Sequence, residues 1–119
     1  MFLFDTYALI ENIKGSNNYE KYVGSEIVIN TFILTELAYW LVRNYGPDKM
    51  DYYLDCYKVF VKSIDVAIIK KAMLFRYKNK KKKLSMTDCI SYLMAKDLGI
   101  KFLTGDNQFR DLENVEFVK

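Results

Sequence analysis

Residues 84–109 read LSMTDCISYLMAKDLGIKFLTGDNQF. Ser85 and Asp88 stand three apart, the spacing of a capping box, and open a helix that Gly99 can end. IKFLT then reads as a short buried strand, and GDNQF turns away from it. A capped helix running straight into an apolar strand is the second half of a βαβ unit. This unit predicts a parallel sheet with helices packed on it.

The rest of the chain fits that frame. MFLF is a short strand that stops at Asp5, and TYALIENIK follows with helical spacing up to Gly15. NNYEKYVG reads as a second short helix and EIVIN as a β-branched strand. The helix from about Thr31 to Tyr45 ends at Gly46-Pro47, and Pro47 suits the first turn of DKMDYYLDCY. KVFVKSI is expected to be a strand. DVAIIKKAMLFRYK is an amphipathic helix on which Val66, Ile69, Met73 and Tyr77 recur as the expected packing face. VEFVK is a last short strand. The expected architecture is a three-layer α/β/α domain over residues 1–119, with a short, mainly parallel sheet of about five strands. Ligand sites in such sheets lie beyond the carboxyl ends of the strands.

Composition narrows the chemistry. The chain has 119 residues, 51% hydrophobic and 16% aromatic, enough for one folded core. Met1–Asp5 lacks the basic start of a signal peptide. Ile27 to Val42 is the most membrane-like segment, but it is short and interrupted by Asn30 and Glu36. A soluble, cytoplasmic protein is expected. Cys56 and Cys89 match no zinc spacing and are expected to be buried free thiols. There is no histidine, which excludes Ser-His-Asp and Cys-His triads and histidine-ligated zinc. The net charge of +3 is uneven. Arg76, Lys78, Lys80, Lys81, Lys82 and Lys83 form one basic run, leaving 12 basic against 15 acidic residues elsewhere. Such a run is either a solvated helix end or a phosphate-binding segment.

Four acids map to one edge of the expected sheet. Asp5 ends the first strand, Asp106 lies just past IKFLT, Asp88 is in the first turn of a helix, and Glu36 is in the second turn of the helix after EIVIN. Each Asp has a plain alternative as a cap or turn residue. Glu36 is too far inside its helix to cap it, and its neighbours Phe32, Ile33, Tyr39 and Trp40 are apolar or aromatic. The helix is therefore expected to be buried on most sides. Glu36 then either pairs with a cation such as Arg43 or faces a pocket shared with other carboxylates. Converging carboxylates raise one another's pKa, and a divalent cation held by oxygen resolves that conflict.

FDTYALIE, INTFILTELAYW and LSMTDCISYLMAKDLGIKFLTGDNQF, in that order and at this chain length, resemble PIN-domain ribonucleases, and more narrowly the toxins of VapBC-type toxin–antitoxin pairs. The resemblance implies that Asp5, Glu36, Asp88 and Asp106 are the catalytic acids. Asp5, Asp88 and Asp106 would hold one or two Mg²⁺ or Mn²⁺ ions, and Thr104 would support them by hydrogen bonding. Some members carry one more acid just beyond the last Asp, where this chain has Asn107 and Gln108. The resemblance also implies an RNA substrate met by the basic run, a small antitoxin partner and often a homodimer. The aromatic segments NNYEKY and MDYYLDCY would offer the antitoxin a groove. A housekeeping RNA-processing nuclease and an inactive RNA- or protein-binding module are the alternatives. Tyr7 stands where a haloacid-dehalogenase-like phosphatase needs a second Asp, and Asp5 comes too early for the acidic pair of a receiver domain.

Overall fold

The computed structural model describes residues Met1–Lys119. The strand β1 (Phe2–Phe4) leads through α1 (Thr6–Lys14) and a 3-10 turn at Asn17–Tyr22 to β2 (Ile27–Val28). Then come α2 (Thr31–Tyr45), α3 (Pro47–Tyr57), a 3-10 turn at Lys58–Phe60, α4 (Val66–Lys78) and α5 (Met86–Leu98). The chain closes with β3 (Lys101–Thr104) and β4 (Val115–Phe117). No helix is long and apolar enough to cross a membrane.

The sheet has four strands in the order β2-β1-β3-β4, all parallel. Phe4 pairs with Leu103, and Thr104 with Phe117. The β1-to-β2 connection steps one way and the β2-to-β3 connection returns past β1. With right-handed crossovers this puts α1 on one face and α5 on the other. Both helices pack against β1 and β3. Leu3, Phe4, Phe102 and Leu103 are fully buried between them, as short two-sided strands require.

Local signals set most boundaries. Gly15 and Gly99 end α1 and α5 in the left-handed region, at φ 72° and 71°, where a Cβ would be strained. The Asn30 side chain accepts from the Ile33 N–H and starts α2. The Asp65 side chain does the same for α4 through Ile68.

Four expectations are corrected. KVFVKSI forms no strand. Lys58–Phe60 winds into a 3-10 turn, and only Val61 forms a bridge, to Ile29. The reason lies in the partner: β2 ends at Val28 and Asn30 already caps α2, so one residue is left to pair. The packing face of α4 is Ile68 and Ala72 with Phe75, against α5, while Val66, Ile69 and Tyr77 are exposed. The helix α2 is buried only along Ile33, Leu37 and Leu41; Phe32 and Tyr39 face outward. Cys89 is buried but Cys56 is exposed.

Candidate active site

Asp5 leaves β1 at its carboxyl end with its backbone still in the ladder, its N–H donating to Leu103 O at 2.9 Å. Its side chain is buried. One carboxylate oxygen accepts from the Thr6 N–H at 2.8 Å, capping α1. The other accepts from Thr104 Oγ1 at 2.7 Å. Thr104 ends the neighbouring strand and is fully buried, and its hydroxyl oxygen in turn accepts from the Asp106 N–H at 3.1 Å. One hydroxyl therefore ties the ends of β1 and β3 together and sets both aspartates from a single point.

Asp106 begins the 3-10 turn Asn107–Phe109, its side chain accepting from the Gln108 N–H at 3.0 Å. Phe109 anchors that turn in the core, with its ring 5.0 Å from Phe102 and 5.7 Å from Tyr92. Asp88 completes the capping box of α5: its carboxylate accepts from the Ser85 N–H, and its own N–H donates to Ser85 Oγ. Thus all three aspartates do the capping work that the sequence suggests, and they also share one edge of the sheet.

Glu36 departs from expectation in its burial and in the pairing with Arg43, but not in lying near other carboxylates. It is exposed rather than buried, and Arg43 does not pair with it but lies over the Tyr39 ring. Its Oε1 accepts from Thr6 Oγ1 at 2.7 Å, which brings it to the residue next to Asp5. An apolar stretch of helix need not be buried on every side: one stripe packs on the core, and Glu36 projects from the rest.

The electrostatics bind the four acids into one unit. Burial pushes the Asp5 carboxyl up to about 7, with the charges of Asp88 and Glu36 adding to it against the bonds from Thr104 and Thr6. Burial also raises Asp88, helped by Asp106 and Glu36 and opposed by the Ser85 bonds. None of the four forms an ion pair within the chain. No three of these side chains stand close enough together to make a ligand cluster as placed. One oxygen each of Glu36, Asp88 and Asp106 takes part in no hydrogen bond within the chain, so each can turn to an ion without losing an existing bond. In donor chemistry the set fits a hard divalent cation: all oxygen, strongly anionic and without a protein counter-charge.

Sequence reading did not single out Thr6 for a role, or Asn30 and Ser91 as a pair. Asn30 Nδ2 donates to Ser91 Oγ at 3.0 Å in the buried interior, tying the start of α2 to α5 one turn beyond Asp88. A buried N-cap asparagine is visible in sequence only as a cap; its second bond depends on the packing of two distant helices. The basic run begins in the last turn of α4 and continues through a 3-10 turn at Lys80–Lys82 to the start of α5. Arg76 Nε donates to Leu84 O at 3.1 Å, and no residue of the run forms an ion pair. The aromatics of NNYEKY do not form an open groove: Tyr19 and Tyr22 are buried, and their hydroxyls bond Val118 O and Glu116.

No curated protein matches the chain in sequence. Among solved structures, a chain of a toxin–antitoxin complex from Klebsiella pneumoniae superposes with a TM-score of 0.76 at 18% identity, covering 98% of this chain and 96% of its own. VapC20 of Mycobacterium tuberculosis, described as a sarcin-ricin loop cleaving toxin, gives 0.80 at 15% identity, with 100% of both chains covered. At such identities these likenesses establish the fold. The PIN domain family model matches residues 2–115, nearly the whole chain and all four acids. With a parallel sheet that carries Asp5, Asp88 and Asp106 to its carboxyl edge, this chain belongs to the PIN domain family.

Proposed function

We propose that residues 1–119 form a single PIN-like domain acting as a Mg²⁺- or Mn²⁺-dependent endoribonuclease, the toxin of a toxin–antitoxin pair. The observation that carries this reading is the Asp5 carboxylate, raised first by burial and further by the charges of Asp88 and Glu36, and paired with no cation. A fold gains nothing from leaving such a charge uncompensated unless something else neutralises it. Asp5, Asp88 and Asp106 would hold one or two ions, with Glu36 as a further ligand or as a base beside them. A bound divalent ion supplies the acidity that makes water nucleophilic near neutral pH and offsets phosphodiester charge, so no histidine is required. The chain's own residues do the rest. Thr104 holds Asp5 and the Asp106 backbone in register, Thr6 orients Glu36, and the capping box fixes Asp88. Arg76, Lys78 and Lys80–83 attract the RNA backbone next to the start of α5.

The setting of the Klebsiella neighbour and the described activity of VapC20 support the toxin reading over a housekeeping nuclease, and with it an antitoxin partner. A homodimer and a cytoplasmic location belong to the same proposal. The test is RNA cleavage by the purified chain with Mg²⁺ or Mn²⁺ and with excess EDTA, beside Asp5→Asn. Cleavage that needs the ion and vanishes in the variant is the expected result. A wild-type chain that cuts no RNA with either ion overturns the reading.

A further inference from the structure

We infer that the cleft lined by Met73, Arg76, Tyr77, Lys80, Lys83 and Leu84 is a subsite for one unpaired nucleotide of single-stranded RNA, with Tyr77 stacking on the base and the lysines on its flanking phosphates. The inference rests on the ribonuclease reading above and adds to it a base-binding position outside the acidic edge. The cleft lies at the junction of α4 and α5 and has a volume of about 230 Å³. That is below the roughly 300 Å³ at which pockets begin to enclose a whole drug-sized ligand, so it suits one flat group.

Three observations converge. Tyr77 is 70% exposed, on the opposite side of α4 from its packing face, so a large ring stands in solvent with no packing duty. Beside it are Arg76, Lys80 and Lys83, none in an ion pair, and Lys80 Nζ lies 5.0 Å from the Tyr77 ring centroid. An aromatic platform flanked by free cations is the arrangement that holds single strands, because every base has a face to stack and every link a charge. Lastly, the cleft is joined to the acids. Leu84, whose carbonyl receives Arg76 Nε, is followed directly by Ser85, which caps α5 through Asp88. A strand leaving the cleft along α5 meets the acidic edge. A base can reach Tyr77 only if it is unstacked, so a duplex does not satisfy the site. The lysines alone would read charge without that distinction.

The experiment is equilibrium binding of a fluorescein-labelled uridine oligonucleotide to the intact chain in EDTA, across a salt series, with a poly(A)·poly(U) duplex and heparin as competitors. Tyr77→Ala is expected to weaken single-strand binding about tenfold or more, the scale of losses at base-stacking aromatics, with the salt slope unchanged. Tyr77→Phe keeps the affinity. Lys80→Ala and Lys83→Gly each lower the slope by about one, and Gly also suits the left-handed backbone at Lys83, φ 57°. Heparin binding falls in the lysine variants and not in Tyr77→Ala. Tyr77→Ala binding within about twofold of wild type overturns the subsite, as does a duplex that binds equally well and depends equally on Tyr77. RNA cleavage is measured in parallel. A chain that binds through Tyr77 but cuts nothing loses the nuclease reading and keeps the cleft. A chain that cuts RNA with Tyr77→Ala unaltered in affinity and KM loses the cleft and keeps the nuclease.

Discussion

Thr104 donates its hydroxyl to Asp5 across adjacent strands, at 2.7 Å, joining two residues 99 positions apart. The same oxygen accepts from the Asp106 N–H, so its loss disturbs two of the four acids at once. Thr104→Val keeps the shape and removes both bonds. A buried hydrogen bond to a carboxylate is worth roughly 1.5–3 kcal/mol. The variant is expected to lose at least that much catalytic free energy in RNA cleavage, while Thr104→Ser recovers most of it. Single-turnover cleavage rates of the two variants would decide; equal activity of Thr104→Val and wild type would remove Thr104 from the site.

Asp5 makes a pH prediction for the ion-free protein. Its carboxyl is near 4 when unfolded and about 7 when folded, so the native state binds the proton more tightly. Stability from this group is therefore greatest below pH 4, falls as pH rises from 4 to 7, and stays low above that. The rise from 3.8 to about 7 corresponds to roughly 4 kcal/mol. In EDTA the thermal midpoint should drop from pH 5 to pH 8, and Asp5→Asn should flatten most of that drop. Mg²⁺ or Mn²⁺ should raise the midpoint of wild type at pH 8 and leave Asp5→Asn nearly unmoved. Calorimetry at the two pH values, with and without the ion, tests both statements.

Gly105 lies between Thr104 and Asp106 in a place where no side chain fits. A Cβ there would stand 2.3 Å from Tyr7 Cε1 and 2.4 Å from the Val118 carbonyl oxygen. The Tyr7 ring can move but the carbonyl belongs to the backbone beside β4. Gly105→Ala is expected to cost about 1–3 kcal/mol of stability, the scale of overpacking. Adding Tyr7→Ala should restore only part of it. Denaturant midpoints of the single and double variants give the answer, and full recovery would mean the backbone contact yields easily.

Glu36 separates stability from activity. It is exposed and makes one hydrogen bond, so Glu36→Gln should change stability by less than about 0.5 kcal/mol. Its charge faces Asp5 and Asp88, and the same change should lower cleavage by an order of magnitude or more. Measuring unfolding and cleavage on one preparation tests this, and a large stability change with unaltered cleavage would place Glu36 outside the site.

Much of the fold was legible because its signals are local. Ser85 and Asp88 three apart, Gly99 after the last helical turn, Asn30 before Thr31 and Gly46-Pro47 all act within one turn of backbone. They placed α1, α2, α3 and α5 close to where they occur. KVFVKSI failed because a strand needs a partner, and β2 leaves only Ile29 to offer one. The α4 face failed for a related reason. Val66, Ile69 and Tyr77 share helical spacing with Met73, but only Met73 of that set packs on the core; Ile68, Ala72 and Phe75 have helical spacing too, and only the neighbouring α5 chose between the two faces.

The sequence by itself determined the chemistry available to this protein. With no histidine and no cysteine pair at ligand spacing, its candidate reactive groups are carboxylates at strand ends and helix starts, and its candidate phosphate-binding groups are one basic run. Only the tertiary structure decided which groups act together and which are free. Thr104 reaches Asp5 because parallel pairing sets Phe4 beside Leu103. Glu36 and Tyr77 stand in solvent because another stripe of each helix meets the core. Local propensity is written in neighbouring residues, whereas burial and charge coupling depend on which distant surface arrives.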